Sequence, residues 1–553
     1  MAVTTRLALV LSGGVSLGAY QAGAVAELLW ALEHRLDASA PVVLDVVTGA
    51  SAGAMTAAVL ARALMVDRAA AADLHRAWVR EISFAQLTEG PPGASFFSDR
   101  AIWALARAIL LRHPATAARP AAGPHPAAPA TLRVAFALAN LNGVRYSLGY
   151  ANTPGRFDTA LFADWITFTV RAGVPADWQA IARAAIASGA FPFAFPTVRL
   201  ERRLADYRHA DIYAPDGMRA FTYADGGLFN NEPVGLARDL VEAVEDEEPA
   251  AAADRRVYLL VDPFPGAAAV APDLGEAPLS ARVLADRLLN AVLGEASKRD
   301  WIRASRINTR LRWQDRLLDC LAAVVADAPA PSRAAAAARA ADLVAEIATF
   351  KGTRAAGETV PPEEARRRHL DENLRRLGPL LARDDALYAR VRDDPAAAAL
   401  FLDLAYALEN VAGLRNKVDL DLHLIAPAPG TLAGDFLGNF GGFFDEAWRE
   451  HDYRRGRADA RQVLEALAQT VPALAYVPDA AEAYRPARDL SAVGGPDVPP
   501  AAAAHLAARL AAHLACALVP SARPRLWRAL ATLGARIAAR RIVAGLLRRP
   551  AGS

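Results

Sequence analysis

VVTGASAGAMTAAVLA, residues Val46 to Ala61, joins an apolar run to a run of small helix formers, with a serine between two glycines at the junction: Gly49-Ala50-Ser51-Ala52-Gly53. The run Val42–Val47 is short, apolar and β-branched, as a strand buried on both faces requires. Ala52 to Leu64 has the composition of a helix. A strand that feeds a helix through a sharp turn of small residues is the context of a nucleophile elbow. There a strained backbone presents the serine hydroxyl, and the helix N-terminus supplies free N–H groups and a favourable dipole. The same five residues also suit a structural glycine-rich loop or a phosphate-binding turn, and the stretch alone leaves all three open.

Working outward, the first 265 residues alternate the same two signals. Arg6 to Leu11 is a short apolar run that stops at Gly13-Gly14, and Gly18 to His34 carries Tyr20, Ala24, Leu28 and Leu32 at helical spacing. Leu132–Leu138 reads as a strand that turns at Asn140–Gly143, residues 177–187 as a helix, and Val257–Val261 as a strand stopped by Pro263 and Pro265. This alternation predicts an α/β fold with a mostly parallel central sheet covered by helices. Residues 114–130, rich in Pro and Ala, read as an exposed loop or insertion, and residues 275–415 as largely helical. Lys417–Gly430 then alternates apolar and polar residues, so the chain is expected to return to the sheet there.

Composition narrows the function classes. With 54% hydrophobic and 22% charged residues the chain is globular, and a net charge of +2 gives no reason to expect a nucleic-acid partner. Cys320 and Cys516 are too few and too far apart for a disulfide framework or a metal cluster, and read as core thiols. No charge-free apolar run reaches the roughly 18 residues of a membrane-spanning helix. The apolar N-terminus is short and runs into glycines, which fits a first strand and not a signal peptide.

Two further stretches carry chemistry. In LSGGVSLGAYQAG, Gly13, Gly14, Val15 and Gly18 can turn successive N–H groups into one space, as an anion nest or an oxyanion hole. A dinucleotide site is disfavoured, since the loop does not fit G-x-G-x-x-G and the second strand ends in the serine turn, not in an acid. A serine nucleophile also needs a base. None of the ten histidines has a site-like context; His423 alternates along the late strand and reads as a strand residue. A carboxylate has such a context: in FTYADGGLF, Asp225 follows a short aromatic strand and precedes Gly226-Gly227. Desolvation there raises its proton affinity toward that of a useful base, although an Asp-Gly turn is also common as plain punctuation.

Taken in order, SGGVSLGAYQAG, GASAG and DGG resemble the patatin-like phospholipase family, as do RVAFALANLNGVRYSL and Ala182 to Val198. The resemblance covers roughly residues 5–265 and implies an α/β fold and a serine–aspartate dyad without histidine. It assigns catalysis to Ser51 and Asp225 and the oxyanion hole to Gly13, Gly14 and Val15, with Gly18, Gly49, Gly53, Gly226 and Gly227 supporting the turns. The family's loop usually reads D-G-G-G-x-[KR]-G; here Ser12 stands for the acid, Val15 for the third glycine and Leu17 for the basic residue. Asp435 to Ala460 is similar to a C-terminal stretch of some large bacterial patatin-related proteins, to which no chemistry is attached.

The expected organisation is a patatin-like catalytic core at 1–270, a helical insertion at 271–415, a strand returning to the core sheet at 416–430 and a helical C-terminal region at 431–553. The expected activity is hydrolysis of lipid acyl esters, of the phospholipase A or lysophospholipase type, with no cofactor and no metal. The alternatives are a non-catalytic lipid-binding or regulatory protein, or an acyltransferase that uses the same dyad. The expected partner is a phospholipid or other acyl ester. RPRLWRALATLGARIAARRIVAGLLRRP, arginine-rich and free of acids, has Leu526, Leu530, Leu533 and Ile537 at helical spacing. It reads either as a packing helix or as a basic amphipathic helix in peripheral contact with a membrane. The expected location is the cytoplasm, at a membrane surface only where the second of these readings holds.

Overall fold

The computed structural model describes residues 3–89, 95–112, 123–149, 156–207, 217–264, 291–292, 294–296, 299–356, 381–382, 385–414, 419–435, 439–480, 504, 507–509 and 511. Contacts divide the chain into two units, residues 1–301 with 421–553, and residues 302–420.

The apolar runs of the first unit form β1 (Thr5–Leu11), β2 (Val42–Gly49), β3 (Thr131–Gly149), β4 (Arg156–Arg171), β5 (Val198–Arg203), β6 (Met218–Asp225), β7 (Arg255–Val261) and β8 (Leu422–Ile425). They join in one sheet of order β5-β6-β3-β2-β1-β7-β8, with β4 also on β3. The centre is parallel, β3 to β2, β2 to β1, β1 to β7 and β7 to β8, while β4, β5 and β6 pair antiparallel. The fold is therefore α/β around a mostly parallel mixed sheet, and the central strands are mainly apolar because both faces are covered, with Asp45 of β2 paired to Arg6 of β1 and Arg256 of β7.

One register decides where the site lies. Since β4 lines one edge of β3 from Thr131 to Gly149, β2 and β6 share the other edge and meet end to end. Gly49 of β2 is opposite Phe136, and Asp225 of β6 is opposite Leu138. The residues that leave the two strands thus face each other across a gap of one β3 residue, Ala137.

The covering helices are α1 (Gly18–Glu33), α2 (Ala52–Met65), α3 (Ala71–His75), α4 (Phe84–Leu87), α5 (Arg100–Ile109), α6 (Trp178–Ser188) and α7 (Val234–Glu247). A π-helical turn, Arg76–Glu81, continues α3. Helices α8 (Arg299–Asp327), α9 (Ala330–Ala356), α10 (Ala386–Arg392) and α11 (Pro395–Val411) follow, and the second unit has its own core around Ala322, Tyr388, Val391 and Phe401. Helix α12 (Glu446–Ala468) returns to the first unit and crosses α1 at two glycines. A Cβ on Gly23 would lie 1.8 Å from the Tyr453 carbonyl oxygen, and one on Gly456 would lie 2.0 Å from that of Tyr20. The buried carboxylate of Glu27 closes this interface with Arg457 at 2.8 Å, Arg461 at 2.9 Å and the Tyr476 hydroxyl at 2.9 Å.

Several expectations change. The turn expected at Asn140–Gly143 is a bulge inside the 19-residue β3, where the register against β4 shifts between Ala139 and Val144. Residues 123–130 are not an exposed loop, because His125 and Ala127 are buried and His125 Nε2 lies 3.1 Å from the Leu29 carbonyl oxygen. Cys320 is exposed, not a core thiol. Val15–Glu33 has the length and apolarity to cross a membrane, but 83% of that window is buried in the fold, where α1 packs on α12, α2 and α3. Residues 113–122, Cys516 and the basic stretch 523–550 lie outside the described residues.

Candidate active site

The elbow forms where β2 leaves β3. Ala50 N–H donates to the Leu11 carbonyl at 3.0 Å, and Ser51 turns to φ 52, ψ −123 before α2 begins at Ala52. That is a region a residue with a side chain occupies only when its surroundings force it. The forcing contacts are visible. Ser51 N–H donates to Ser188 Oγ at 2.9 Å, and Ser188 Oγ donates to the Ala137 carbonyl at 2.7 Å, so the serine at the end of α6 fills the gap between β2 and β6. Gly53 lets the first turn of α2 press on the end of β1, where a Cβ would lie 2.3 Å from the Leu11 carbonyl oxygen. Ser188→Ala is expected to orphan two buried groups, the Ser51 N–H and the Ala137 carbonyl, at about 1–3 kcal/mol for each. An unchanged urea midpoint for this variant would show that neither group needs the hydroxyl.

Asp225 ends β6 and is 2% exposed. Ser51 Oγ donates to its Oδ2 at 2.5 Å, and Gly227 N–H donates to its Oδ1 at 2.8 Å. Burial pushes the carboxyl up to about 7, against the pull of the Ser51 hydroxyl and the Gly227 N–H. No histidine is bonded to Ser51 or Asp225 among the described residues; His423 Nε2 lies 2.8 Å from Asp421 in the sheet's edge strand.

The glycine loop leaves β1 beside the elbow. Gly13 N–H is already donated to the Asn231 carbonyl at 3.0 Å, so it is not available as the oxyanion donor expected of it. Gly14 and Val15 N–H have no partner among the described residues. Val15 stands at φ 51, the conformation a glycine would take there without strain. Gly18, Gly49 and Gly226 are close-approach positions, and each Cβ would fall within 2.6 Å of a neighbouring atom.

Ser51 and Val15 open on a narrow apolar cavity of about 30 Å³ walled by Met55, Trp78, Ile82, Ile102, Phe191 and Phe195. Met55, Trp78, Ile82 and Ile102 also wall a second cavity of about 50 Å³ that runs on between α2, α5 and α6. A more open cavity of about 1140 Å³ lies elsewhere, among paired charges such as His75–Glu450 and Arg112–Asp67. The sequence did not mark Ser188 or Asn231, since each acts on the site through polar contacts with segments far along the chain.

Residues 9–238 match the family model described as patatin-like phospholipase. Residues 424–473 match a second model, described as a protein of unknown function, DUF3376. A Sinorhizobium fredii protein described as uncharacterized protein y4iI is 26% identical over an alignment 378 residues long, which covers 52% of this chain and 53% of that protein. The chain thus spans about half the length of this curated relative. The resemblance read from the three glycine motifs holds over residues 9–238, and so does the fold class it implied.

Proposed function

We propose that this chain, a patatin-like phospholipase over residues 9–238, hydrolyses lipid acyl esters by covalent catalysis at Ser51 with Asp225 as the base. The observation that carries the proposal is the direct 2.5 Å contact between Ser51 Oγ and Asp225 Oδ2, on a strained turn at a helix N-terminus. Ser51 Oγ attacks the ester carbonyl and its proton passes to Asp225 Oδ2. Gly14 and Val15 N–H hold the oxyanion. Collapse of the tetrahedral intermediate expels the alcohol, which takes the proton from Asp225. Water, deprotonated by the same carboxylate, then frees the acid. The apolar walls beyond Ser51 favour an aliphatic acyl chain, which enters as Met55 and Trp78 yield, because the cavities at rest hold only a water or two.

The pH profile on a soluble short-chain ester tests the base. Only the ionised carboxylate accepts the proton, so kcat/KM is expected to rise with pH through about 7 and level off above it. A flat profile between about pH 5 and 9 would contradict Asp225 as the base. Fatty acid released from phosphatidylcholine vesicles checks the substrate class.

A further inference from the structure

Residues 439–449 lie inside the stretch that matches the family of unknown function, and they touch the glycine loop. Ser16 directly follows Val15. Its N–H donates to the Asn439 carbonyl at 3.1 Å, its hydroxyl donates to the same oxygen, and it accepts the Gly442 N–H at 3.1 Å. Asn439 holds φ 72 to bring its carbonyl there. The segment is fixed in turn by Arg449, which is 3% exposed. Arg449 Nε donates to the Val79 carbonyl at 2.6 Å, and Nη1 donates to those of Gly442 at 2.9 Å and Phe443 at 3.3 Å. None of the ion pairs among the described residues includes Arg449. Phe443, and Trp78 beside Val79, both wall the Ser51 cavity.

Two features of this arrangement are costly. A guanidinium buried among carbonyls with no carboxylate in ion-pair contact is expensive to desolvate, and the charges of Glu446 and Asp445 offset that only in part. Burial lowers Arg449 to about 10, which leaves it charged at neutral pH. A β-branched residue in the left-handed region, as Val15 is, relaxes unless its neighbours hold it. Three hydrogen bonds on the next residue, Ser16, supply that hold.

We infer that residues 439–449 are a clamp on the oxyanion loop, in which Ser16 and Arg449 are positioning residues that aim the Gly14 and Val15 N–H groups at the reacting carbonyl. The inference rests on the reading of Ser51 as the nucleophile. It gives the region of unknown function a role within the site.

The test uses the full chain and p-nitrophenyl butyrate. Ser16→Ala removes the two hydroxyl contacts of the clamp and leaves the main-chain bond from Ser16 N–H to the Asn439 carbonyl. Gly442→Ala pushes on them, since its Cβ would lie 2.8 Å from Ser16 Oγ. Both are expected to lower kcat by about 10–100-fold with KM within twofold, because a displaced oxyanion donor acts on the transition state. Affinity for a trifluoromethyl ketone, which adds Ser51 to form the tetrahedral oxyanion, is expected to fall in step with kcat. Arg449→Lys, which keeps the charge, is expected to retain more kcat than Arg449→Met. If Ser16→Ala does not fold, Arg449→Lys carries the test through the other anchor. The clamp is overturned if Ser51→Ala abolishes turnover while Ser16→Ala and Gly442→Ala keep kcat within twofold of the parent. It is also overturned if the losses appear in KM and not in kcat. Turnover that persists in Ser51→Ala overturns the reading of the site, and the clamp with it.

Discussion

Ser51→Ala is expected to lower kcat on a soluble acyl ester by about 10⁵-fold or more, the order found when a serine nucleophile is removed from a working constellation. The fold is expected to survive. The strained turn is held by main-chain contacts that alanine keeps, Ser51 N–H to Ser188 Oγ and Ala50 N–H to the Leu11 carbonyl. The loss should therefore appear in kcat with little change in thermal unfolding. Residual turnover above about 1% of the parent would mean that another group attacks the ester.

Asp225→Asn is expected to lower kcat by about 10³–10⁴-fold, because the amide fills the same space but accepts no proton. It carries a second, opposite effect. Folded Asp225 holds its proton up to about 7, whereas the unfolded carboxyl releases it near 3.8. Between those values the folded state binds more protons, so rising pH takes stability away, and above about 7 the deficit is constant. Asparagine has no such deficit. The variant's Tm should gain on the parent's as pH rises from 4 to 7 and keep the gain at pH 8. A Tm difference that is flat across this range would show that the carboxyl is not strained by burial. Lost activity with gained stability is the pattern of a group kept for chemistry at the expense of the fold.

The parts legible in the sequence are those with local punctuation. β2 ends in glycines and α2 starts in alanines, so the Ser51 elbow could be read from sixteen consecutive residues, and Asp225 is marked by its own Gly-Gly turn. The return of the chain to the sheet was readable from the alternation around His423, where β8 pairs with β7. What brings Ser51 and Asp225 together was not readable. It is the shared edge of β3, which depends on the long β4 ribbon along its other edge, and the bulge at 140–143 reads as a turn in any local window. Ser188 looks like an ordinary helix end, and its role exists only because the Ala137 carbonyl lies unpaired in the gap between two strands. Gly13 was assigned as a donor from its loop, but the competing acceptor, the Asn231 carbonyl, arrives from more than two hundred residues away.

The most direct test of the Ser51–Asp225 assignment is the site of covalent labelling by a fluorophosphonate, located by peptide mass spectrometry and timed at several pH values. The predicted result is a single adduct on the peptide carrying Ser51, formed at a rate that rises through pH about 7 and is nearly abolished in Asp225→Asn. An adduct on another residue, or none at all while the protein turns over ester, would contradict it.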